Sequence, residues 1–106
     1  MAATTIAGTF SATGQSGSFK PTVGYRDSSP GAFNVSVSGT FVATIRLERS
    51  FDSGSNWLIC SSDSAGTAAS WTAPFSVVAE EPEPGVLYRL ACTAYTSGTI
   101  TYRISQ

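Results

Sequence analysis

Hydrophobic and polar residues alternate along the chain, and they do so most regularly over residues 40–49 and 86–95. The apolar members of the first stretch are Phe41, Ala43, Ile45 and Leu47. A period of two places them on one face of an extended strand and leaves the residues between them on the other face. Both stretches are therefore predicted to be half-buried β-strands.

The rest of the pattern also indicates strands. The other extended stretches are residues 5–10, 18–23, 33–38, 57–60, 70–78 (interrupted at Pro74) and 99–105. Clusters of Gly, Pro, Ser and Asp separate them at intervals of about 8–12 residues, and no stretch has the helical period. This spacing predicts an all-β fold without significant helix: an antiparallel β-sandwich, jelly-roll or immunoglobulin-like, with seven or eight strands.

Two pairs of these strands are close enough in sequence to form hairpins. Residues 57–60 follow the 40–49 strand after a turn of Asp, Ser, Gly and Asn, which favours a central hairpin. Residues 99–105 follow the 86–95 strand after a short loop that contains Gly98, which favours a terminal hairpin.

The length of 106 residues fits one domain with one modest core. We therefore expect residues 1–106 to form a single β-sandwich domain. Residues 1–12 are rich in Ala, Thr, Ser and Gly, and they have a second interpretation as an extended N-terminal arm. Such an arm would add as a strand to the sheet of a neighbouring subunit.

Charge is scarce in this chain. Charged residues make up 12% of the sequence, where about 25% is usual, and Ser and Thr take their place. The net charge of −1 gives no electrostatic reason to expect nucleic acid or an anionic membrane as a partner. A weakly charged, hydroxylated surface does little to keep copies of the chain apart, which suits a protein that works in an assembly.

The residues that usually carry catalysis are few. Histidine is absent, and no Gly-rich phosphate loop follows a strand, so we expect no enzyme and no cofactor. Asp52 and Asp63 are the weaker alternative, a carboxylate pair for glycoside cleavage. Cys60 and Cys92 cannot complete a structural zinc site; they are small buried hydrophobes or, alternatively, a disulfide.

The segment EEPEP at residues 80–84 contains three glutamates and two prolines. We interpret this segment as a stiff, exposed connector, because the residue before each proline is held extended. A calcium site on these carboxylates is the less favoured interpretation. The N-terminus lacks the pattern of a secretion signal, and no apolar run reaches about 20 residues, so we expect either synthesis in a cytoplasm or a mature form whose signal has been removed.

Residues 50–57, SFDSGSNW, resemble the Asp-box of sialidases and other β-propellers at every defined position. In those proteins the box is a folding element remote from the catalytic pocket. The resemblance implies a structural turn, not glycosidase activity. Asp52 would accept hydrogen bonds from turn amides, Gly54 would supply a positive φ, and Trp57 would cap the hairpin.

A second local resemblance lies in PGVLYRLAC at residues 84–92. It is similar to the penultimate strand of fibronectin-type and immunoglobulin-type domains, and it implies that Tyr88 ties back to the preceding connection.

Two residue sets have a structural and a functional interpretation. Arg46, Arg49, Arg89 and Arg103 either pair with acidic residues across strands or mark subunit contacts, where arginine is enriched. Arg89 and Arg103 are expected near each other on the terminal hairpin. Tyr25, Trp71 and Tyr95 either pack in the core or form a platform for sugar rings.

Taken whole, residues 30–106 resemble the small virion proteins of tailed bacteriophages. The resemblance lies in Ser/Thr/Gly/Ala-rich strands and in the runs FNVSVSGTF at 33–41, GVLYRL at 85–90 and YTSGTITYRIS at 95–105. It implies a non-enzymatic structural protein of the virion, assembled in the host cytoplasm. The role it implies first is capsid decoration or cement, through protein–protein contacts with capsid subunits and with its own copies. The alternatives are a neck, tail or fibre-associated virion protein and, in another class, a carbohydrate-binding or adhesion module.

Overall fold

The structure, a computed structural model, describes residues 5–21, 32–60, 70–81, 83 and 85–106. These residues form β-strands and no helix. The strands are β1 (Thr5–Phe10), β2 (Gly14–Gln15), β3 (Ala32–Ser38), β4 (Phe41–Ser50), β5 (Leu58–Ile59), β6 (Ser70–Trp71), β7 (Phe75–Glu80), β8 (Leu87–Gly98) and β9 (Ile100–Ser105).

The strands form two antiparallel sheets that pack against each other. Sheet I has the order β1-β9-β3-β7, and sheet II has the order β2-β8-β4-β5, with β6 also paired to β4. Strands counted from the two ends of the chain pair with one another (β1 with β9, β2 with β8, β3 with β7), as in one long hairpin wound into a sandwich. This connectivity is the jelly roll, one of the two sandwich types that the sequence left open.

The described residues form nine strands, where seven or eight were predicted. The difference arises at the edge of sheet II, where β5 pairs with Glu48 and Arg49 and β6 pairs with Ile45 and Arg46. These two short strands follow each other along β4 and together fill one edge position. The break between β6 and β7 falls at Pro74, as predicted.

The core lies between the sheets and is built from the alternate apolar residues of the longer strands. Fully buried members include Phe19, Phe33, Val35, Ile45, Leu90, Ile100 and Ile104. Phe33 contacts both Phe19 and Tyr88, with ring centroids 5.5 and 4.7 Å apart. The period of two thus identified the inward faces of β3, β4 and β8 correctly.

The first segment of the chain differs from its prediction in two places. Gly14 and Gln15, expected in a loop, pair with Cys92 and Ala91 of β8. The expected strand over 18–23 is reduced to one bridge, in which Phe19 and Tyr88 exchange two backbone hydrogen bonds of 2.7 Å; residues 22 and 23 lie outside the described residues. β1 pairs with β9 of its own chain along its whole length, so residues 5–10 of the predicted arm belong to sheet I.

The predicted terminal hairpin is wrong. β8 belongs to sheet II and β9 to sheet I, so the chain steps between sheets at Gly98, whose φ is +96°. Gly39 (φ +109°) makes the equivalent step from β3 to β4 beside it. The Thr99 amide donates to the Thr40 carbonyl oxygen (3.2 Å), which joins the two steps. Arg89 and Arg103, expected to be neighbours, therefore lie on different sheets.

Candidate functional site

A dense set of polar contacts lies in the turn after β4, which belongs to the 50–60 hairpin (residues 50–60, comprising this turn and β5). Asp52 Oδ1 accepts the Asn56 backbone amide (2.8 Å) and the Ser50 hydroxyl (2.8 Å), and Asp52 Oδ2 accepts the Asn56 side-chain amide (2.7 Å). The Gly54 amide donates to Ser50 Oγ (2.9 Å), and Gly54 has a φ of +92°. Both the acceptor role of Asp52 and the positive φ of Gly54 agree with the Asp-box geometry.

These hydrogen bonds stabilise the ionised form of Asp52. The bonds from the Asn56 side chain and amide, followed by that from Ser50, lower the pKa of Asp52 from its ordinary 3.8 to about 2. A carboxylate held ionised in this way is the opposite of a general acid, which needs a raised pKa. Asp63, its suggested catalytic partner, lies outside the described residues.

The low pKa of Asp52 leads to a testable pH dependence. Because its folded-state pKa lies below the unfolded value, ionised Asp52 stabilises the turn above about pH 4, and this stabilisation is lost as the pH falls through about 2. An NMR titration of the Asp52 carboxyl carbon should give a pKa of about 2, and Asn56→Ala should move it toward 3.8. A pKa of 3.8 for Asp52 in the native protein would contradict the turn described here.

The turn is fastened to the outer face of sheet II by a buried carboxylate. Glu48 lies on the face of β4 opposite the core residue Leu47, yet it is only 2% exposed. Its Oε1 accepts Arg89 Nε across the strands (2.7 Å) and its Oε2 accepts Arg46 Nε (2.6 Å). The Arg89 guanidinium lies 4.2 Å from the centroid of the Trp57 ring, so Trp57 covers this network, and the hairpin is held against the sheet.

A second buried carboxylate holds the connection between β7 and β8. Glu81 is 1% exposed; it pairs with Arg49 and accepts the Tyr88 hydroxyl (2.7 Å) and the Glu83 amide (3.0 Å). The expected link from Tyr88 to the preceding connection is therefore present. Burial, followed by the hydrogen bond to Glu81, raises the pKa of Tyr88, so its hydroxyl stays protonated and donates.

The expectation of a wholly exposed acidic connector is wrong at Glu81. The local sequence indicated exposure, but Arg49 offsets the charge of Glu81 from 32 positions away, and Tyr88 and the Glu83 amide donate to it. The described residues contain no group of three or more His, Cys, Asp or Glu side chains that could hold a metal ion.

The four candidate interface arginines fall into two groups. Arg46 and Arg89 pair with Glu48, and Arg49 pairs with Glu81, so these three have partners within the chain. Arg103, on β9, is exposed and has no ion pair with any described residue. It is the candidate arginine that the fold leaves open to another molecule.

Exposed apolar side chains concentrate on the 50–60 hairpin. Among the described residues the exposed large hydrophobics are Phe51 (53%), Leu58 (54%), Ile59 (45%), Val42 (58%) and Val78 (69%), and the first three belong to this hairpin. The sequence did not lead us to predict that these three side chains would be exposed. The available signal was the consecutive apolar pair Leu58–Ile59, because neighbouring residues of a strand point to opposite faces and an edge strand cannot bury both.

The suggested sugar platform is divided in the structure. Trp71 stacks on Phe75, with ring centroids 3.9 Å apart, and packs against the core. The Tyr95 hydroxyl donates to the Gly98 carbonyl oxygen (2.5 Å), and its ring also packs on the core. Tyr25 lies outside the described residues. An open depression of about 290 Å³ near the start of β4 is lined by Thr and apolar residues and by no charged side chain.

Both cysteines are free thiols. Burial raises the pKa of Cys60 to about 11, and burial also raises the pKa of Cys92, so both remain protonated at neutral pH. The structural alternative, a small buried hydrophobe, fits Cys92 best because it is one of the core residues.

Comparisons with protein-family models, with curated proteins and with solved structures find no match to this chain. Within its described part, no helix is long and apolar enough to span a membrane.

Proposed function

We propose that this chain is a non-enzymatic structural protein of a bacteriophage virion, most directly a capsid decoration or cement protein, that binds its neighbours through the 50–60 hairpin. The alternative within the same class is a position in the neck, the tail or a fibre. The proposal starts from the resemblance of residues 30–106 to small virion proteins and is supported by the surface described above.

The observation that carries the proposal is the exposed apolar set Phe51, Leu58 and Ile59. Leu58 and Ile59 point to opposite faces of the edge strand β5, so a partner that buries both must enclose this strand. Large apolar side chains exposed together on one element often mark a contact surface. Burial of each side chain in an interface would contribute a favourable free energy of about 25 cal/mol per Å² of apolar area removed from water. The nearby Arg49 and Arg89 are already paired with Glu81 and Glu48, so these apolar side chains are the groups left to bind another protein.

The hairpin is also rigid enough to serve as a contact. Its turn is closed by the hydrogen bonds to Asp52 and Ser50, and the Trp57 ring packs on the Arg89 guanidinium. A preorganised segment loses little conformational entropy on binding. Trp is among the residue types that most often dominate interface energies, so the partly exposed Trp57 completes the expected contact.

The jelly-roll topology is compatible with this role but does not select it. Jelly rolls form viral capsid proteins and also lectins, and one fold hosts many functions. The position of the exposed apolar side chains, rather than the topology, therefore supports the assignment.

The test is binding of the purified chain to phage heads and tails prepared without it, followed by co-sedimentation. The chain should saturate one of the two fractions at a fixed ratio. Leu58→Ser with Ile59→Ser should weaken that binding roughly tenfold or more, because two apolar contacts are lost. Saturation of the tail fraction alone would select the neck or tail alternative.

Val42→Ser is the matched control. Val42 is as exposed as Leu58 but lies near the start of β4, about 20 Å from Leu58 and Ile59, which pair with Arg49 and Glu48 near the end of this strand. It should leave particle binding unchanged. Equal loss with Val42→Ser, or no binding to either fraction, would contradict the proposal.

A further inference from the structure

We infer that the outer face of sheet I binds the same face of a second copy of this chain, so that the protein forms a two-fold symmetric dimer. This surface lies on sheet I, whereas the 50–60 hairpin belongs to sheet II. The inference goes beyond the proposed function and is tested with the purified chain alone, so it stands or fails independently of particle binding.

The outer face of sheet I is made almost entirely of short side chains. Because Val35, Val37 and Ile104 point into the core, the residues between them point outward, and across the four strands these are mainly Ser, Thr, Ala and Asn. Such side chains lose little rotamer freedom when they are buried. The face can therefore pack against another sheet at a low entropic cost.

Two opposite charges interrupt this face. Arg103 lies on β9 within the sheet, and Glu80 lies at the end of the edge strand β7; both are exposed. Neither has an ion pair with a described residue. Val78, the most exposed large hydrophobic of the described residues at 69%, points outward from the same strand as Glu80.

The register gives the two charges a two-fold relationship. On one side of β3, Arg103 pairs with Ser36, which lies two residues from Asn34. On the other side, Val78 pairs with Asn34, and Glu80 lies two residues beyond Val78 in the opposite direction along the sheet. Asn34 is therefore midway between Arg103 and Glu80. Consider a two-fold axis that lies in the face, passes through Asn34 and is perpendicular to the line from Arg103 to Glu80. Rotation about this axis brings Arg103 of each copy over Glu80 of the other.

This arrangement also suits the other residues of the face. The amide of Asn34 meets its own copy on the axis, where one carbonyl oxygen accepts from the other amide. The strands of the two sheets then cross at about 70°, which is nearer to the orthogonal than to the aligned mode of sheet packing. Val78 is placed over the small residues Ser36 and Ser76 and loses its exposure.

The size of the face sets the expected strength. Four strands about 4.8 Å apart and some six residues of about 3.3 Å each give a face about 15–20 Å on a side. That is about 300–400 Å² per copy, or about 600–800 Å² in total, which is below the roughly 1,000 Å² of a stable interface, so we expect weak, transient self-association with a dissociation constant on the order of 100 micromolar.

The experiment is sedimentation velocity over a range of concentrations, with charge-reversal variants. The wild-type chain should convert from monomer to dimer as its concentration rises. Arg103→Glu alone and Glu80→Arg alone should each weaken dimer formation roughly tenfold or more, since each sets like charges against each other twice. An equimolar mixture of the two variants should form a heterodimer of near wild-type affinity, because every Glu then faces an Arg.

Two matched variants control for net charge. Lys20→Glu and Glu83→Arg reverse exposed charges outside this face and should leave the dimer unchanged. A wild-type chain that remains monomeric at millimolar concentration would overturn the inference, as would a mixture of Arg103→Glu and Glu80→Arg that fails to associate.

Discussion

Glu81→Ala should lower the free energy of unfolding by about 3 kcal/mol, the cost of breaking a largely buried ion pair from one side. The substitution leaves Arg49 without its counter-charge and the Tyr88 hydroxyl without its acceptor. For a domain of this size the midpoint of thermal unfolding should fall by roughly 15 °C. Urea unfolding followed by circular dichroism measures the effect.

Two further variants test the cause. Glu83→Ala removes an exposed carboxylate from the same connection and should change stability by less than about 0.5 kcal/mol. Arg49→Met added to Glu81→Ala should restore part of the loss, because an apolar pair leaves no uncompensated charge. If Glu81→Ala proves as mild as Glu83→Ala, the buried pair does not hold this connection.

Gly98→Ala should destabilise the fold by about 4 kcal/mol or more, through two effects at one position. Its φ of +96° is unfavourable for a side chain. A Cβ at this position would also collide with the Thr40 carbonyl oxygen and lie 2.6 Å from Phe41 Cα. Both obstacles are backbone atoms at the neighbouring step between the sheets, so neither can turn aside as a side chain would.

Gly85→Ala separates the two effects. Gly85 has a similar φ of +89°, but a Cβ there has no atom of the described residues within 4 Å, so only the backbone strain applies, at about 1 kcal/mol. Chemical unfolding of both variants gives the comparison, and a failure of Gly98→Ala to fold agrees with the larger cost. Equal losses for the two variants would show that the sheet steps at Gly39 and Gly98 are not closely packed.

The sequence predicted the strands and their inward faces because both depend on a local period. Phe33, Val35 and Ile45 were recognised as inward-facing from their own neighbours, without knowledge of a partner strand. Period two says nothing about which sheet a strand joins. The pattern around Gly98 fits a hairpin and a step between sheets equally well, and the choice depends on Thr40 and Phe41, which are far away in sequence.

The same limit applies to the polar residues. The turn at Asp52 and Gly54 was readable because its hydrogen bonds join residues at most four positions apart. The burial of Glu81 was not, since its countercharge Arg49 lies on another strand. Arginine pairing was anticipated as a class, but only the structure distinguishes the paired Arg46, Arg49 and Arg89 from the exposed Arg103.

The most direct test of the proposed structural role is a cryo-electron microscopy map of phage particles assembled in the presence of this chain. The account predicts density for the sandwich in symmetry-related copies on the particle, with the 50–60 hairpin against a neighbouring virion protein and Leu58 and Ile59 buried there. A particle map without the sandwich, or one in which that hairpin points into solvent, would contradict it.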